Sequence, residues 1–357
     1  MKAGNGSTGA HASASTGCRP RPEPSGLGPG GDLRSATRRK CALALALIAA
    51  GVSVAGVTRG QSVSAEPRAA RDFKPVLGQE GRDVVWIPSD DTVVQRILAL
   101  AQVGPTDRLV DLGSGDGRIP IAAALSAGAR AVGVEFSPGM VAVAREAAQR
   151  AGVAGRVSFV QGDLFAYDFS DATVVTLFLL SALNLKLRPA LLRMRPGTRI
   201  VSHLFDMGEW LPDATETRDQ RPIHLWRVPA DAGGHWRGLL APGTDGVARA
   251  APATLDLKLT QTFQVIEGGA LLDGRFLPLE SLHLSGDGLE VTWRVQGATA
   301  FGQKDGSEAM LARFSGRIEG DRAAGTLTVH GKTAPLVFTR LAARGSPGRQ
   351  SSVAASR

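Results

Sequence analysis

Cysteine is nearly absent from this 357-residue chain: there are two, Cys18 and Cys41, and both precede residue 65. The 292 residues that follow can hold no disulfide, no cysteine metal site and no thiol nucleophile. A histidine pair at H-x-x-H spacing is missing as well, so no common zinc-binding pattern is on offer. The body also lacks an excess of positive charge. The formal net charge of +8 suggests a nucleic-acid partner at first sight, but residues 1–65 carry eight Lys/Arg against two Asp/Glu. The rest carries 33 against 31. The basicity belongs to the leader, and no nucleic acid is expected as a partner of the folded part.

The leader is what remains once those classes are set aside. Residues 1–37 are rich in Gly, Ser, Pro and Arg with almost no large apolar side chain, a composition expected to stay disordered. Residues 38–65 then read as a secretory signal: Arg38, Arg39 and Lys40 form a basic n-region, 41–57 is a 17-residue apolar run, and Val63-Ser64-Ala65 fits a small-x-small cleavage site. Two alternatives stay open. The apolar run is at the lower edge of what spans a bilayer, so an uncleaved anchor would give membrane contact. A start site further upstream than the functional one would explain the first thirty or so residues without removing the apolar run. The signal places the body in the membrane-anchored or exported class, with placement on the cytoplasmic side also open.

From residue 84 to 229 the texture alternates between strand-like and helix-like segments, which predicts a doubly wound α/β sheet with ligands at the carboxyl ends of its strands. "SDDTVVQRILALAQV" predicts a helix capped by Ser89, and Ser137-Pro138 opens another. "RLVDLG", "RAVGVEF", "VSFVQGD", "ATVVTLFLL" and "TRIVSHLF" predict buried strands, and "LNLKLRPALLRM" a helix between the last two. The first strand runs into "DLGSGDGR", whose Gly113, Gly115 and Gly117 follow G-x-G-x-G, tighter than the dinucleotide spacing. Asp111 precedes them, and a carboxylate there repels a pyrophosphate but welcomes a cation. S-adenosylmethionine carries a sulfonium and an ammonium, and a turn of Gly113, Ser114, Gly115 and Gly117 leaves bare backbone for its methionine part. Glu135, ending the second strand, is placed to accept from both ribose hydroxyls, and Asp163, after the third, from the adenine amino group.

These residues resemble class I (seven-strand) methyltransferases, and more narrowly the bacterial relatives of the lysine methyltransferases that modify the ATP synthase c-subunit and the adenine nucleotide translocase. The resemblance is carried by "DLGSGDGR" (111–118), "VGVE" (132–135), "GDLF" (162–165), "DATVVTLFLL" (171–180), "LNLKLRPALL" (183–192) and "GTRIVSHLFDMGEW" (197–210). It implies a Rossmann-like sheet, S-adenosylmethionine as cofactor with S-adenosylhomocysteine as product, and cofactor contacts at Asp111, Gly113, Gly115, Glu135 and Asp163. It also implies N-methylation of a protein lysine. One departure stands out. Many amine-modifying members of the wider class end the fourth strand with Asn/Asp-Pro-Pro-aromatic, and here that place reads Thr176-Leu177-Phe178-Leu179-Leu180. Apolar residues there either desolvate a lysine ammonium or pack in the core.

Methyl transfer to an amine is an in-line displacement that requires alignment and dryness rather than a metal. His203 and Asp206 are the candidate bases, and Asn184 either holds substrate or caps the helix it opens. Trp210, Trp226 and Trp236 are expected to pack the sheet edge. After Pro229 the period becomes two. Leu255, Leu257, Leu259, Phe263 and Val265 share one parity, as do Leu289, Val291, Trp293 and Val295. Residues 250–342 thus predict an antiparallel β-rich accessory domain without visible chemistry, and 343–357 a flexible tail. Two other functions stay open: a small-molecule or lipid methyltransferase, and an extracytoplasmic binding protein that holds ligand on a methyltransferase fold without turnover.

Overall fold

In the helix that opens the α/β part, α1 (Asp91–Leu100), the buried positions Val93, Val94, Ile97 and Leu98 form one stripe. Its expected cap is displaced by one residue. Asp90 holds the N-cap position without a side-chain bond, while Ser89 is turned inward and only 5% exposed. The computed structural model describes residues 73–79, 81, 85–240, 242, 252–295, 310–329 and 331–342. The leader (1–37), the signal or anchor (38–65) and the tail (343–357) lie outside the described residues.

Alternation then proceeds as the sequence predicts: β1 (Arg108–Leu112), α2 (Arg118–Ala127), β2 (Arg130–Glu135), α3 (Pro138–Arg150), β3 (Val157–Gln161), β4 (Val174–Leu177), α4 (Ser181–Leu191) and β5 (Arg199–His203). Ser137 caps α3, accepting from the Met140 N–H at 3.4 Å, with Pro138 at the first helical position. A hairpin, β6 (Ala214–Arg218) and β7 (Arg221–Arg227), completes a seven-stranded sheet in the order β3-β2-β1-β4-β5-β7-β6. Strands β1 to β5 are parallel, and β7 runs antiparallel to β5 and β6. Strand order reverses at β1, so the crevice between the ends of β1 and β4 is where this architecture seats ligands. Register decides a key contact, because it sets Asp111 of β1 beside Thr176 of β4. Apolar side chains pack both faces of the sheet, Val93 to Leu225 forming one cluster and Val110 to Val228 the other.

The second sheet has nine antiparallel strands in the order β11-β10-β9-β8-β16-β15-β14-β13-β12. Here β8 is Gly234–Leu240, β9 Ala253–Thr262, β10 Val265–Leu272, β11 Arg275–Leu277, β12 Leu279–Ser285, β13 Gly288–Val295, β14 Met310–Glu319, β15 Arg322–Val329 and β16 Lys332–Leu341. The sheet thus takes in Gly234–Leu240, ahead of residue 250. Its two end strands are consecutive around Pro278, so it curls into a near-closed barrel. Leu255, Leu257, Leu259, Leu289, Val291 and Trp293 fill its interior as their parity predicts.

Phe263 and Val265 do not follow that parity. The chain reverses between Thr262 and Val265, which pair with each other, and Phe263 sits in the turn at φ +54 while Val265 is exposed. Phe263 leaves the barrel and stacks on Trp210 of the first sheet's layer, ring centroids 6.1 Å apart. Trp226 donates from Nε1 to the Trp210 carbonyl at 2.7 Å. Trp236, expected at the same sheet edge, belongs instead to the barrel core and donates to the Ala232 carbonyl at 2.8 Å. Among the described residues no helix is long and apolar enough to cross a membrane.

Candidate functional site

A cleft of about 500 Å³ opens at the carboxyl end of β1, within the ordinary size range for a small-molecule site. Asp111, Gly113, Ser114 and Gly115 form its floor, and Glu135 and Asp163 flank it from the ends of β2 and β3. Phe178, Leu179 and Leu180 enter from the end of β4, and Leu204 and Phe205 from the end of β5. Six of the seven expected cofactor residues therefore meet at one place. Gly117 does not line the cleft. At φ +80 it lets the turn pass under the core, where a Cβ would run into the Phe159 ring and come within 2.9 Å of the Ala144 Cβ. Its bareness serves packing.

Asp111 is the electrostatic centre of this cleft. It is 4% exposed and accepts a hydrogen bond from the Thr176 hydroxyl at 2.6 Å. Burial pushes its carboxyl up to about 7 against the opposing Thr176 bond, and Glu135 and Asp116 add their repulsion. A ligand cation placed here returns Asp111 to its ionised form. Glu135 ties two turns together, accepting from the Gly115 N–H on one oxygen and the Ser137 N–H on the other, both at 2.9 Å. Each oxygen keeps a further lone pair for a ligand hydroxyl. Asp163 accepts from the Phe165 N–H at 2.9 Å. Bare turn, acidic strand ends and cleft size fit S-adenosylmethionine. Among the described residues no group of three His, Cys, Asp or Glu is arranged to hold a metal.

None of the three residues expected to act on the substrate lines the cleft. His203 is 2% exposed, its Nδ1 lies 3.4 Å from the Ser89 hydroxyl, and its ring packs on Phe178 at 4.3 Å. Burial, helped by Arg221 and Arg96, lowers its pKa to about 4, so it is neutral near neutral pH and too weak a base for an ammonium. Asp206 is exposed and accepts from the Gly208 N–H at 3.1 Å, closing a turn. Asn184 is fully buried in the first turn of α4, where its amide donates to the Ser202 hydroxyl at 3.1 Å and to the carbonyls of Phe205 and Asp206 at 3.2 Å. It neither caps the helix nor reaches the cleft. It holds the loop in which Leu204 adopts φ +69, a strained value for a non-glycine residue, and so places Leu204 and Phe205 in the wall.

Along the end of the fourth strand, Thr176 serves Asp111 and Leu177 is core, Leu179 is buried in the core cluster and also touches the cleft, and Phe178 and Leu180 line the cleft. Sequence reasoning missed the wall contributed from outside the sheet: Gln79, Trp86, Ile87, Pro88 and Ser89 line the cleft too. The signal available was "VWIPS", a lone aromatic ahead of the first helix, which has no period to read.

A seven-stranded sheet in this order, with a bare turn after β1 and carboxylates ending β1 and β2 and following β3, defines the class I S-adenosylmethionine-dependent methyltransferases. Residues 111–214 match the family described as the ANTKMT methyltransferase domain. The chain is 44% identical over 131 residues to a protein-lysine N-methyltransferase of Saccharolobus islandicus, covering 36% of this chain and 81% of that protein. It is 33% identical over 186 residues to the ATP synthase c-subunit lysine N-methyltransferase of Mus musculus, covering 51% of this chain and 73% of that one. A solved RNA methyltransferase of Salinibacter ruber, in complex with S-adenosyl-L-homocysteine, shares 53% identity over 41% of this chain and 95% of its own, with a TM-score of 0.40. The chain belongs to the ANTKMT methyltransferase family and is an S-adenosylmethionine-dependent methyltransferase.

Proposed function

We propose that the chain methylates the side-chain nitrogen of a lysine in a protein. The observation that carries this reading is the apolar part of the cleft lining, where Phe178, Leu179, Leu180, Leu183, Leu204 and Phe205 share the cleft with Asp111, Glu135 and Asp163. A lysine brought against such a wall loses the hydration that favours its ammonium form, and the neutral amine is the nucleophile. The proton leaves to solvent as the side chain enters, which removes the need for a resident base. Neutral, buried His203 is consistent with that. Asp111 and Glu135 would hold the cofactor's ammonium and ribose, and Asp163 its adenine, along the Gly113–Gly115 turn. Bound there, S-adenosylmethionine supplies a methyl group activated by the adjoining sulfonium. The remaining work of the chain is alignment and exclusion of water.

The lysine-modifying relatives support the same acceptor. The basic stretch Arg38–Lys40 and the apolar run 41–57 support a body directed to or across a membrane, so that membrane proteins are reachable substrates. The test uses labelled cofactor and a cellular protein fraction, one half of it chemically acetylated on its lysines. Label should enter the untreated half and not the blocked one. Equal labelling of both halves would refute the lysine reading.

A further inference from the structure

The acidic strand ends explain how the cleft receives cationic groups, and they leave one end of the cofactor without a partner. The methionyl part of S-adenosylmethionine also bears a carboxylate, which would enter a cleft lined by Asp111, Asp116 and Glu135. Like charges at this range disfavour each other, so the carboxylate needs a donor. Arg118 is the one cation among the described lining residues, and its guanidinium is committed elsewhere. Nε and Nη2 donate to the Asp116 carboxylate at 3.0 and 2.6 Å, and Nη1 donates to the Ser89 carbonyl at 2.6 Å.

Trp86 supplies another donor, from outside the Rossmann sheet. A Cβ added to Gly115 would lie 2.5 Å from Trp86 Nε1 and 3.0 Å from Cδ1, so the pyrrole edge of the indole stands directly over the cofactor turn. Its backbone is pinned on both sides: Trp86 N–H donates to the Gln79 carbonyl at 2.9 Å, and its carbonyl accepts from the Gly78 N–H at 3.0 Å. The side chain is partly buried and lines the cleft, and no described residue is seen to accept from its indole nitrogen. An N–H held against the turn, in a cleft where the one guanidinium among the described lining residues is already engaged, is suited to an anion.

We infer that the Trp86 indole N–H hydrogen-bonds the carboxylate of the cofactor's methionyl end, closing over the turn a ligand that the strand ends hold by its cationic groups. The inference rests on S-adenosylmethionine being the cofactor and is independent of the methyl acceptor.

Calorimetric titration of the purified full chain with S-adenosylmethionine and with its decarboxylated analogue tests it. Trp86→Phe keeps an aromatic ring over Gly115 and removes the N–H. Loss of one charge-assisted bond is expected to weaken S-adenosylmethionine binding about tenfold or more, and binding of the analogue by less than about twofold. An equal loss for both ligands would make Trp86 a packing residue and overturn the inference. No loss for either would leave the carboxylate to Arg118, with the same consequence. A wild-type chain that binds neither ligand would overturn the cofactor assignment and this inference with it. A second measurement needs no variant. Trp210, Trp226, Trp236 and Trp293 are all fully buried, so iodide quenching of tryptophan emission reports chiefly on Trp86. Added S-adenosylmethionine should suppress that quenching, and unchanged quenching at saturation would count against the contact.

Discussion

Cofactor affinity should depend on pH through one buried carboxyl. Asp111 titrates at about 7 in the free protein because burial penalises its charge. A bound ammonium or sulfonium favours the ionised form, so the carboxyl must lose its proton for the ligand to bind well. Each unit of pH below about 7 then weakens binding about tenfold, which amounts to roughly 30-fold at a pH of about 5.5 relative to the plateau. The ligand's own α-amino group, with a pKa of about 7.7–8.0, is mostly protonated below a pH of about 7, so the slope is read on that side. Titration calorimetry in buffers of different ionisation heat adds a second readout: close to one proton released per cofactor bound at pH about 6, and few above about 7.5. Asp111→Asn keeps the acceptor for Thr176 and removes the charge, so its weaker binding should be nearly independent of pH. The same linkage acts on stability with a definite sign. An acid whose folded pKa is raised costs the fold stability as pH climbs from the unfolded value to the folded one, here from 3.8 to about 7. The drop in melting temperature across that window should therefore shrink in Asp111→Asn. A wild-type affinity that is flat from about 5.5 to 7.5, or an Asn variant that keeps the wild-type slope, would refute this reasoning.

The two glycines that look alike in sequence should fail differently. Gly115→Ala puts a Cβ at φ +53 against the Trp86 indole, and the loss should be about tenfold or more in cofactor affinity with a modest change in melting temperature. Gly117→Ala drives a Cβ into Phe159 and Ala144 in the core, so thermal unfolding should show about 2–4 kcal/mol of destabilisation while the folded fraction still binds cofactor. Asn184→Ala removes the amide whose two N–H groups reach the Ser202 hydroxyl and the carbonyls of Phe205 and Asp206, in and beside the loop that carries Leu204 and Phe205. It should cost about 2–3 kcal/mol in chemical denaturation and lower kcat more than it weakens cofactor binding. Replacing His203 with Ala should lower stability and leave the shape of the pH–rate profile intact, whereas loss of one limb of that profile would restore it as a base.

Most of the nucleotide-binding half is legible in the residues because local signals and global fold agree there. Five apolar strand segments, the Ser137-Pro138 start and the turn after Asp111 each point to the same sheet. The turn could be read as a site because it sets carboxylates beside bare backbone, a combination with few other uses. What escaped depends on contacts between distant segments. Ser89 has the chemistry of a helix cap and sits next to a helix, yet it faces His203, 114 residues away. His203 and Asn184 are polar residues near an expected cleft, and only the packed structure shows them turned from it, His203 toward Ser89 and Asn184 toward the loop of Phe205 and Asp206. Trp86 carries no periodicity at all, since a chain segment that crosses a cleft from outside the sheet has no face to alternate. Phe263 illustrates a limit of period-two reading. Alternation continues through a tight turn on paper, although the chain has reversed and the side chain now belongs to another layer. The hairpin β6–β7 went unread because four of the five residues of its edge strand, β6, are exposed and give no apolar alternation.

Where the methyl group goes tests the central claim most directly. The full chain is incubated with methyl-labelled S-adenosylmethionine and total cell material, and the labelled protein is hydrolysed to amino acids. Predicted is label recovered as methylated lysine, abolished when Glu135→Ala removes the carboxylate that bridges the Gly115 and Ser137 turns. Label recovered only in nucleic acid or small molecules, or no transfer by a chain that binds the cofactor, would contradict it.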